Sequence, residues 1–332
     1  MKPIITFATL LTRFFSQRLT QQRHVSGHTI SSYRDTFRLL LQFVKARLGI
    51  EPSNLAWEQI DAPLITSFLN DLEAHRGIGA RTRNLRLTAI RSFFKYAAYE
   101  LPDQAERIQR ILAIPTKRFS AKQVHYLPRQ EIDALLAAPD LNAWSGRRDH
   151  AWLMLVVQTG LRLSELTALK RHDIHLGTGP YVHVIGKGRK ERCIPLTKQT
   201  TTVLRSWLNE PQLGDEQTLF PNRRGTRLSN DGVQYLLARH VSTASEVCPS
   251  LRSQRVTPHV LRHTAAMELL QAGVDITVIA LWLGHESITT TQIYLEASLA
   301  MKQKALEKTM PHDGRPGVYK PGDKLLEFLN AL

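Results

Sequence analysis

Cysteine is nearly absent from this chain of 332 residues, with Cys193 and Cys248 the only two. Two thiols make neither a disulfide framework nor a metal quartet, which suits a reducing compartment and points to the cytoplasm. Acidic residues are also scarce: 29 Asp and Glu stand against 44 Lys and Arg, a formal charge of +15. That imbalance argues for a polyanionic partner, nucleic acid first, over the plainer alternative of a basic enzyme with a solvated surface. Long apolar runs are missing too. The opening stretch MKPIITFATLLTRFFSQRLT is interrupted by Arg13 and Arg18, and no small-residue cleavage site follows it. It reads as neither a signal peptide nor a membrane span, so no membrane partner is expected. No internal repeat, low-complexity tract or carboxylate cluster for paired metal ions is evident.

What the chain does have is helical periodicity. Phe7, Leu10, Leu11, Phe14, Phe15 and Leu19 recur at helix spacing, and a second helix opens near Ser31 and closes at Gly49. A third is capped by Asp61 with Pro63 in its first turn. A fourth runs from about Ala80 to Glu100 with Leu85, Ile90, Phe93, Phe94 and Ala97 facing inward. These predict a small all-helical domain over residues 1–114. The basic, proline-led PTKRFSAKQ opens an interdomain linker, residues 115–125, that would let two basic domains close round a duplex. Beyond it lie helices at Pro128–Ala138, Arg148–Gln158, after Gly160, at Lys198–Glu210 and at Ser229–Glu246. Two short strands, Tyr181–Ile185 and Glu191–Leu196, flank a Gly-Lys-Gly-Arg turn. The fold class is therefore mainly α (α+β), with a small antiparallel sheet in the second domain, residues 126–310.

The chemistry concentrates in the last third. His259 and Arg262 are three apart, so on a helix they reach one site. Gly284-His285 ends an apolar helical pattern, presenting a histidine at a helix stop. Tyr294 follows on a new segment after Ser287, a good N-cap residue. With Arg162 upstream in TGLRLSEL and Lys187 in VIGKGRKERCIPL, these are the parts needed to hold a phosphate and attack it.

The order Arg162, Lys187, His259-x-x-Arg262, His285, Tyr294 resembles the catalytic pattern of the tyrosine recombinases, the lambda-integrase family, with no position missing. Residues 1–114 resemble, less distinctively, that family's SAM-like core-binding domain. The resemblance implies a site-specific recombinase that cleaves and rejoins DNA through a 3′-phosphotyrosyl intermediate, without metal or cofactor. Tyr294 would be the nucleophile. A phenol ordinarily ionises near pH 10, so it needs a proton acceptor or a positive field, and His259 would accept. Arg162 and Arg262 would present planar forks to the non-bridging oxygens, a geometry that lysine lacks. Lys187 would protonate the departing 5′-oxygen, and His285 would donate a hydrogen bond. Glu165, one turn from Arg162, would orient that guanidinium, unless it is a solvated helix residue.

Double-stranded DNA is the implied partner, bound by a homo- or hetero-tetramer with exchange of C-terminal helices. Arg81, Arg83 and Arg86, with Arg189 and Lys190 of the hairpin turn, are the candidate DNA contacts; a solvated helix face is the alternative for the arginine run. The tail over 311–332 ends in KLLEFLNAL, whose apolar stripe is too short to stand alone as a helix. It docks on a neighbouring protomer, docks on its own domain, or frays.

Integration, transposition or resolution of a mobile element is the role expected first, with Xer-type dimer resolution the alternative. A type IB topoisomerase shares most of the constellation but fits the His-x-x-Arg and Gly-His motifs less well. A zinc-protease reading of His259 and His263 fails because Val260 stands where that motif needs glutamate. A non-catalytic DNA-binding scaffold would not need the complete set.

Overall fold

The structure, a computed structural model, describes residues 6–119, 124–186, 188, 190–211 and 217–297. The chain divides into two compact units near residue 121. Lys187, Arg189 and the tail over 311–332 lie outside the described residues.

The first unit is helical throughout. Helix α1 (Phe7–Arg13) is capped by Thr6, and the chain continues as a π-helical segment over Phe14–Gln22. Helix α2 (Gly27–Leu48) follows its Ser26 cap, opening at Gly27, four residues before the expected Ser31, and ends on Gly49 at φ +66. Helix α3 (Ala62–Arg76) is capped by the Asp61 carboxylate, which accepts from the Leu64 N–H at 2.8 Å. Helix α4 (Ala80–Glu100) has the expected span, and α5 (Ala105–Leu112) is a helix that the sequence reading did not anticipate.

The core of this unit is aromatic. Phe93 meets Phe7, Phe14, Phe37 and Phe94 edge-on, with ring centroids 5.2 to 5.5 Å apart. These are the offset and edge arrangements that ring quadrupoles favour. Leu85, expected inward, is 60% exposed; Leu87 takes the buried position. Two of the arginines expected to face DNA are committed inside the unit. Arg83 is buried, ion-paired with Glu73 at 3.4 Å and directed at the Pro115 carbonyl. Arg86 donates to the Thr36 hydroxyl at 2.9 Å and the Ser32 carbonyl at 3.2 Å, tying α4 to α2. Arg81 alone of the three is exposed. The start of the segment read as linker is also anchored: Asn84 and Lys117 exchange hydrogen bonds of 2.8 and 3.0 Å, and Lys117 pairs with Glu73.

The second unit runs α6 (Arg129–Ala137), α7 (Trp144–Thr159), α8 (Leu163–Ala168), β1 (Ile174–His175), β2 (Tyr181–Ile185) and β3 (Glu191–Pro195). It continues with α9 (Lys198–Leu208), α10 (Asn230–Val247), α11 (Pro258–Gln271), α12 (Ile276–Leu283) and α13 (Thr289–Ala297). The strands form an antiparallel sheet in the order β1-β2-β3, with Val184 opposite Arg192; the two-residue β1 was not expected. Helix α7 is the central element, and its run Ala151–Val156 is buried at every position, which explains its near-continuous apolar sequence. A second apolar cluster forms where α11, α12 and α13 meet, from Ala266, Met267, Leu270, Ile279, Leu283 and Tyr294. Among the described residues no helix is long and apolar enough to cross a membrane.

Because Phe93 packs against five other rings in the first core, the stacked Trp57 included, Phe93→Ala should lower unfolding free energy by about 3–5 kcal/mol. Urea denaturation of the full chain followed by circular dichroism would measure it, and a loss below the size of an ordinary surface substitution would contradict this packing.

Candidate active site

The site is organised by the carboxyl end of α12. A helix leaves its last carbonyls without intrahelical partners, and its macrodipole puts partial negative charge there. Here every one of those oxygens is used. The backbone N–H of His285 bonds the Ala280 carbonyl at 2.9 Å and that of Gly284 bonds Leu281 at 3.1 Å. The next three carbonyls each accept from a different arginine. Arg192 Nε bonds the Trp282 oxygen at 3.0 Å, Arg262 Nη2 the Leu283 oxygen at 2.7 Å, and Arg162 Nη2 the Gly284 oxygen at 2.8 Å.

Each arginine arrives from a different element. Arg162 is the N-cap residue of α8, following the left-handed turn at Gly160, φ +63, that ends α7. Only a residue without Cβ fits that turn, since an added Cβ would lie 2.7 Å from Leu283 and 3.2 Å from Ala265. The Gly160 carbonyl accepts the other end of the Arg262 fork at 2.7 Å. Arg262, one turn into α11, is 4% exposed; burial first, and the neighbouring Arg162 second, lower its pKa to about 10. It remains a cation at neutral pH. Arg192 comes from β3.

Glu165 is buried between Arg162 and Arg192, and each of its oxygens accepts twice. Oε1 takes Arg162 Nη1 at 2.9 Å and Arg192 Nη1 at 3.1 Å; Oε2 takes the Arg162 backbone N–H at 2.9 Å and Arg192 Nη2 at 2.8 Å. Burial alone would raise its pKa. The Arg192 hydrogen bonds, the Arg162 N–H and both cationic charges outweigh burial and hold the carboxyl below its usual range. Glu165, expected to orient Arg162, thus accepts from both its backbone and its guanidinium.

Arg162, His259 and Arg262 line one open cleft of about 610 Å³ with Leu163, Gln234, Thr257 and Pro258. His285 lies in a neighbouring cleft of about 1000 Å³ that also receives Lys190, Arg192 and Trp282. Its Nδ1 is 2.7 Å from the hydroxyl of buried Thr291, and burial, followed by the charges of Arg262 and Arg162, lowers its pKa to about 4.

Tyr294 lines neither cleft. It is 1% exposed, its hydroxyl 3.0 Å from Nδ1 of His263 and its ring near-parallel to His285 at 6.5 Å. Burial raises its pKa, and the nearby charges of Arg262 and Arg162 offset this only in part. The histidine at the hydroxyl is thus His263, weighed in the sequence only as a metal ligand, while His259 is exposed in the cleft. Burial first, then His259, Arg262 and His125, lower the His263 pKa to about 4. Arg192 also escaped the sequence reading; its one signal is an arginine on an otherwise short, alternating strand beside the Lys187 turn.

The comparisons with known proteins agree with this architecture. The phage integrase family profile matches residues 125–300, and the profile of the phage integrase N-terminal SAM-like domain matches residues 12–100. The chain is 63% identical to the putative integrase/recombinase y4rC of Sinorhizobium fredii, with 98% of each chain covered. It is 32% identical to the tyrosine recombinase XerC of Chlamydia trachomatis, over 92% of this chain and 99% of that one. In fold it is similar to the XerH site-specific recombinase solved with its palindromic difH substrate after cleavage, with a TM-score of 0.66 and 23% identity over 86% of this chain and 81% of that one. The chain belongs to the phage integrase family, the tyrosine recombinases, and is an enzyme that cleaves and rejoins DNA strands.

His263 and His285 ordinarily titrate near 6.5 but near 4 in this fold. Between those values the unfolded chain binds protons that the folded chain does not, so their contribution to stability is complete above pH 6.5 and lost as pH falls towards 4. The unfolding midpoint should therefore drop across that window, and less steeply in His263→Gln. Identical slopes for parent and variant would contradict the assigned environment.

Proposed function

We propose that Tyr294 is the nucleophile and that Arg162 and Arg262 hold the phosphate it attacks. One observation carries this reading: both guanidiniums, fixed by carbonyls 283 and 284, open with His259 into a single cleft. The Tyr294 oxygen attacks phosphorus, the bond from phosphorus to the sugar 5′-oxygen breaks, and a 3′-phosphotyrosine remains with a free 5′-hydroxyl. The two forks meet the negative charge that grows on the non-bridging oxygens in the five-coordinate transition state. The ester retains its energy, so a second 5′-hydroxyl can reverse the step and join a different strand.

The tyrosine proton goes to His259. His263 is the nearer base, but with a pKa of about 4 it takes up a proton poorly from a phenol whose own pKa is raised. It serves as the acceptor that holds the hydroxyl before reaction. Attack on a phosphate in the cleft then needs the Tyr294 ring to leave this buried position. Neutral His285, with the Thr291 hydroxyl donating to Nδ1, keeps its proton on Nε2 and offers it to a phosphate oxygen. Lys187 protonates the leaving 5′-oxygen.

Double-stranded DNA is the substrate, favoured by the +15 charge and contacted by Arg81, Lys190 and Arg189. Four protomers on two duplexes carry out the exchange in the cytoplasm, linked through the tail over 311–332. Movement of a mobile element is the role we favour, with dimer resolution the alternative.

The chemistry is tested with nicked duplexes taken from the flanks of the chain's own gene. The parent enzyme should yield a protein–DNA adduct carrying nucleotide on Tyr294, and Tyr294→Phe none. Adduct on another side chain, or joined products from Tyr294→Phe, would sink the assignment. Deleting residues 311–332 should leave that adduct intact and reduce recombinant product; equal loss of both would count against tail exchange.

A further inference from the structure

Arg192 is not one of the six residues whose order carries the catalytic pattern, yet it makes three hydrogen bonds behind the phosphate cleft. We propose that Arg192 is a positioning residue for strand cleavage: it holds Glu165 so that Glu165 orients Arg162 without neutralising it. This inference rests on the phosphate-binding role proposed for Arg162.

A lone carboxylate gripping Arg162 would fix its direction but also cancel the charge needed for an anionic transition state. Arg192 faces the same carboxylate with a bidentate fork, at 3.1 and 2.8 Å. Two cations and one anion leave a net positive charge, and Arg162, 28% exposed, is the member that reaches the cleft; Glu165 and Arg192 are 3% and 12% exposed. Such a buried carboxylate needs full satisfaction of its oxygens, and the second arginine supplies half of it.

The surrounding backbone is shaped to admit this side chain. A Cβ at Gly284 would lie 2.9 Å from Arg192 Nη1 and 3.2 Å from its central carbon. A Cβ at Gly186 would lie 3.1 Å from both Arg192 Nη1 and Glu165 Oε1. Two glycines from separate elements thus leave room for one ion pair. The third bond, from Nε to the Trp282 carbonyl, ties β3 to the end of α12, three residues before His285. The β2–β3 hairpin, closed by the Gly186 N–H on the Lys190 carbonyl at 2.8 Å, is thereby fixed to the same helix end.

The test compares two substrates with the full chain: the nicked duplex that the parent enzyme captures covalently, and the same duplex with a methylphosphonate at the scissile position. The methylphosphonate replaces a non-bridging oxygen by methyl and carries no charge. Arg192→Gln should slow adduct formation on the phosphodiester by about 10–100-fold, the range for removing a residue that supports a ligand from behind. The loss should fall on the maximal single-turnover rate and not on duplex affinity, and Arg192→Lys should lose less. On the methylphosphonate the defect should shrink, as it should for Arg162→Ala. Equal defects on both substrates would make Arg192 merely structural, and full activity on both would make it irrelevant; either overturns the proposal. If Arg192→Gln fails to fold, the double variant Glu165→Gln with Arg192→Gln, which strands no buried charge, carries the same comparison. Full activity of Arg162→Ala on the phosphodiester would instead overturn the reading of the site on which this inference rests.

Discussion

Three consecutive main-chain oxygens at the end of α12 receive three guanidiniums from three different elements, and the active site follows from that arrangement. Cations repel one another, so bringing Arg162, Arg192 and Arg262 together is unfavourable unless anions or oriented dipoles lie between them. The α12 terminus supplies the dipoles, and Glu165 supplies the single full negative charge. Remove the helix end and the arginines would have neither a reason to converge nor a fixed direction. The cleft beside them is therefore a consequence of how α12 stops, at Gly284 with φ +65.

The small cluster of α11, α12 and α13 has a second effect. It buries Tyr294 completely and gives its hydroxyl a neutral acceptor. A phenol so placed is neither ionised nor exposed, while Arg162, His259 and Arg262 line an open cleft. In the proposed mechanism, anion binding and nucleophile release are thus separate physical events, and the packing of one short helix, α13, connects them.

Much of the candidate site was legible because its members lie in short motifs whose spacing is set by helix geometry: His259 and Arg262 within one turn, His285 at a helix stop. Helices with strong caps were legible for the same reason, as Asp61 and Ser229 illustrate. The residues that escaped notice depend on partners remote in sequence. Arg192 meets a carbonyl 90 positions later and a carboxylate 27 positions earlier. Arg83 reads as one of a surface run until Glu73 and the Pro115 carbonyl claim it. Leu85 looked inward because the apolar stripe of α4 passes close to it, but Leu87 is the residue that meets the core. The His263 bond to Tyr294 spans 31 residues and depends on how α13 returns onto α11, which no local pattern specifies.

The acceptors at residues 282–284 are peptide oxygens, so every amino acid provides them. Substitution along α12 cannot delete them; a side chain at 284 is the change that intrudes. The outward residues of that helix, Val278 and Leu281, which are 46% and 75% exposed, line the cleft that holds His285, and changing them alters that cleft's wall without removing an acceptor from the arginine cluster. The wall of that cleft and the anchoring of its cations are thus specified separately, one by side chains and the other by the main chain.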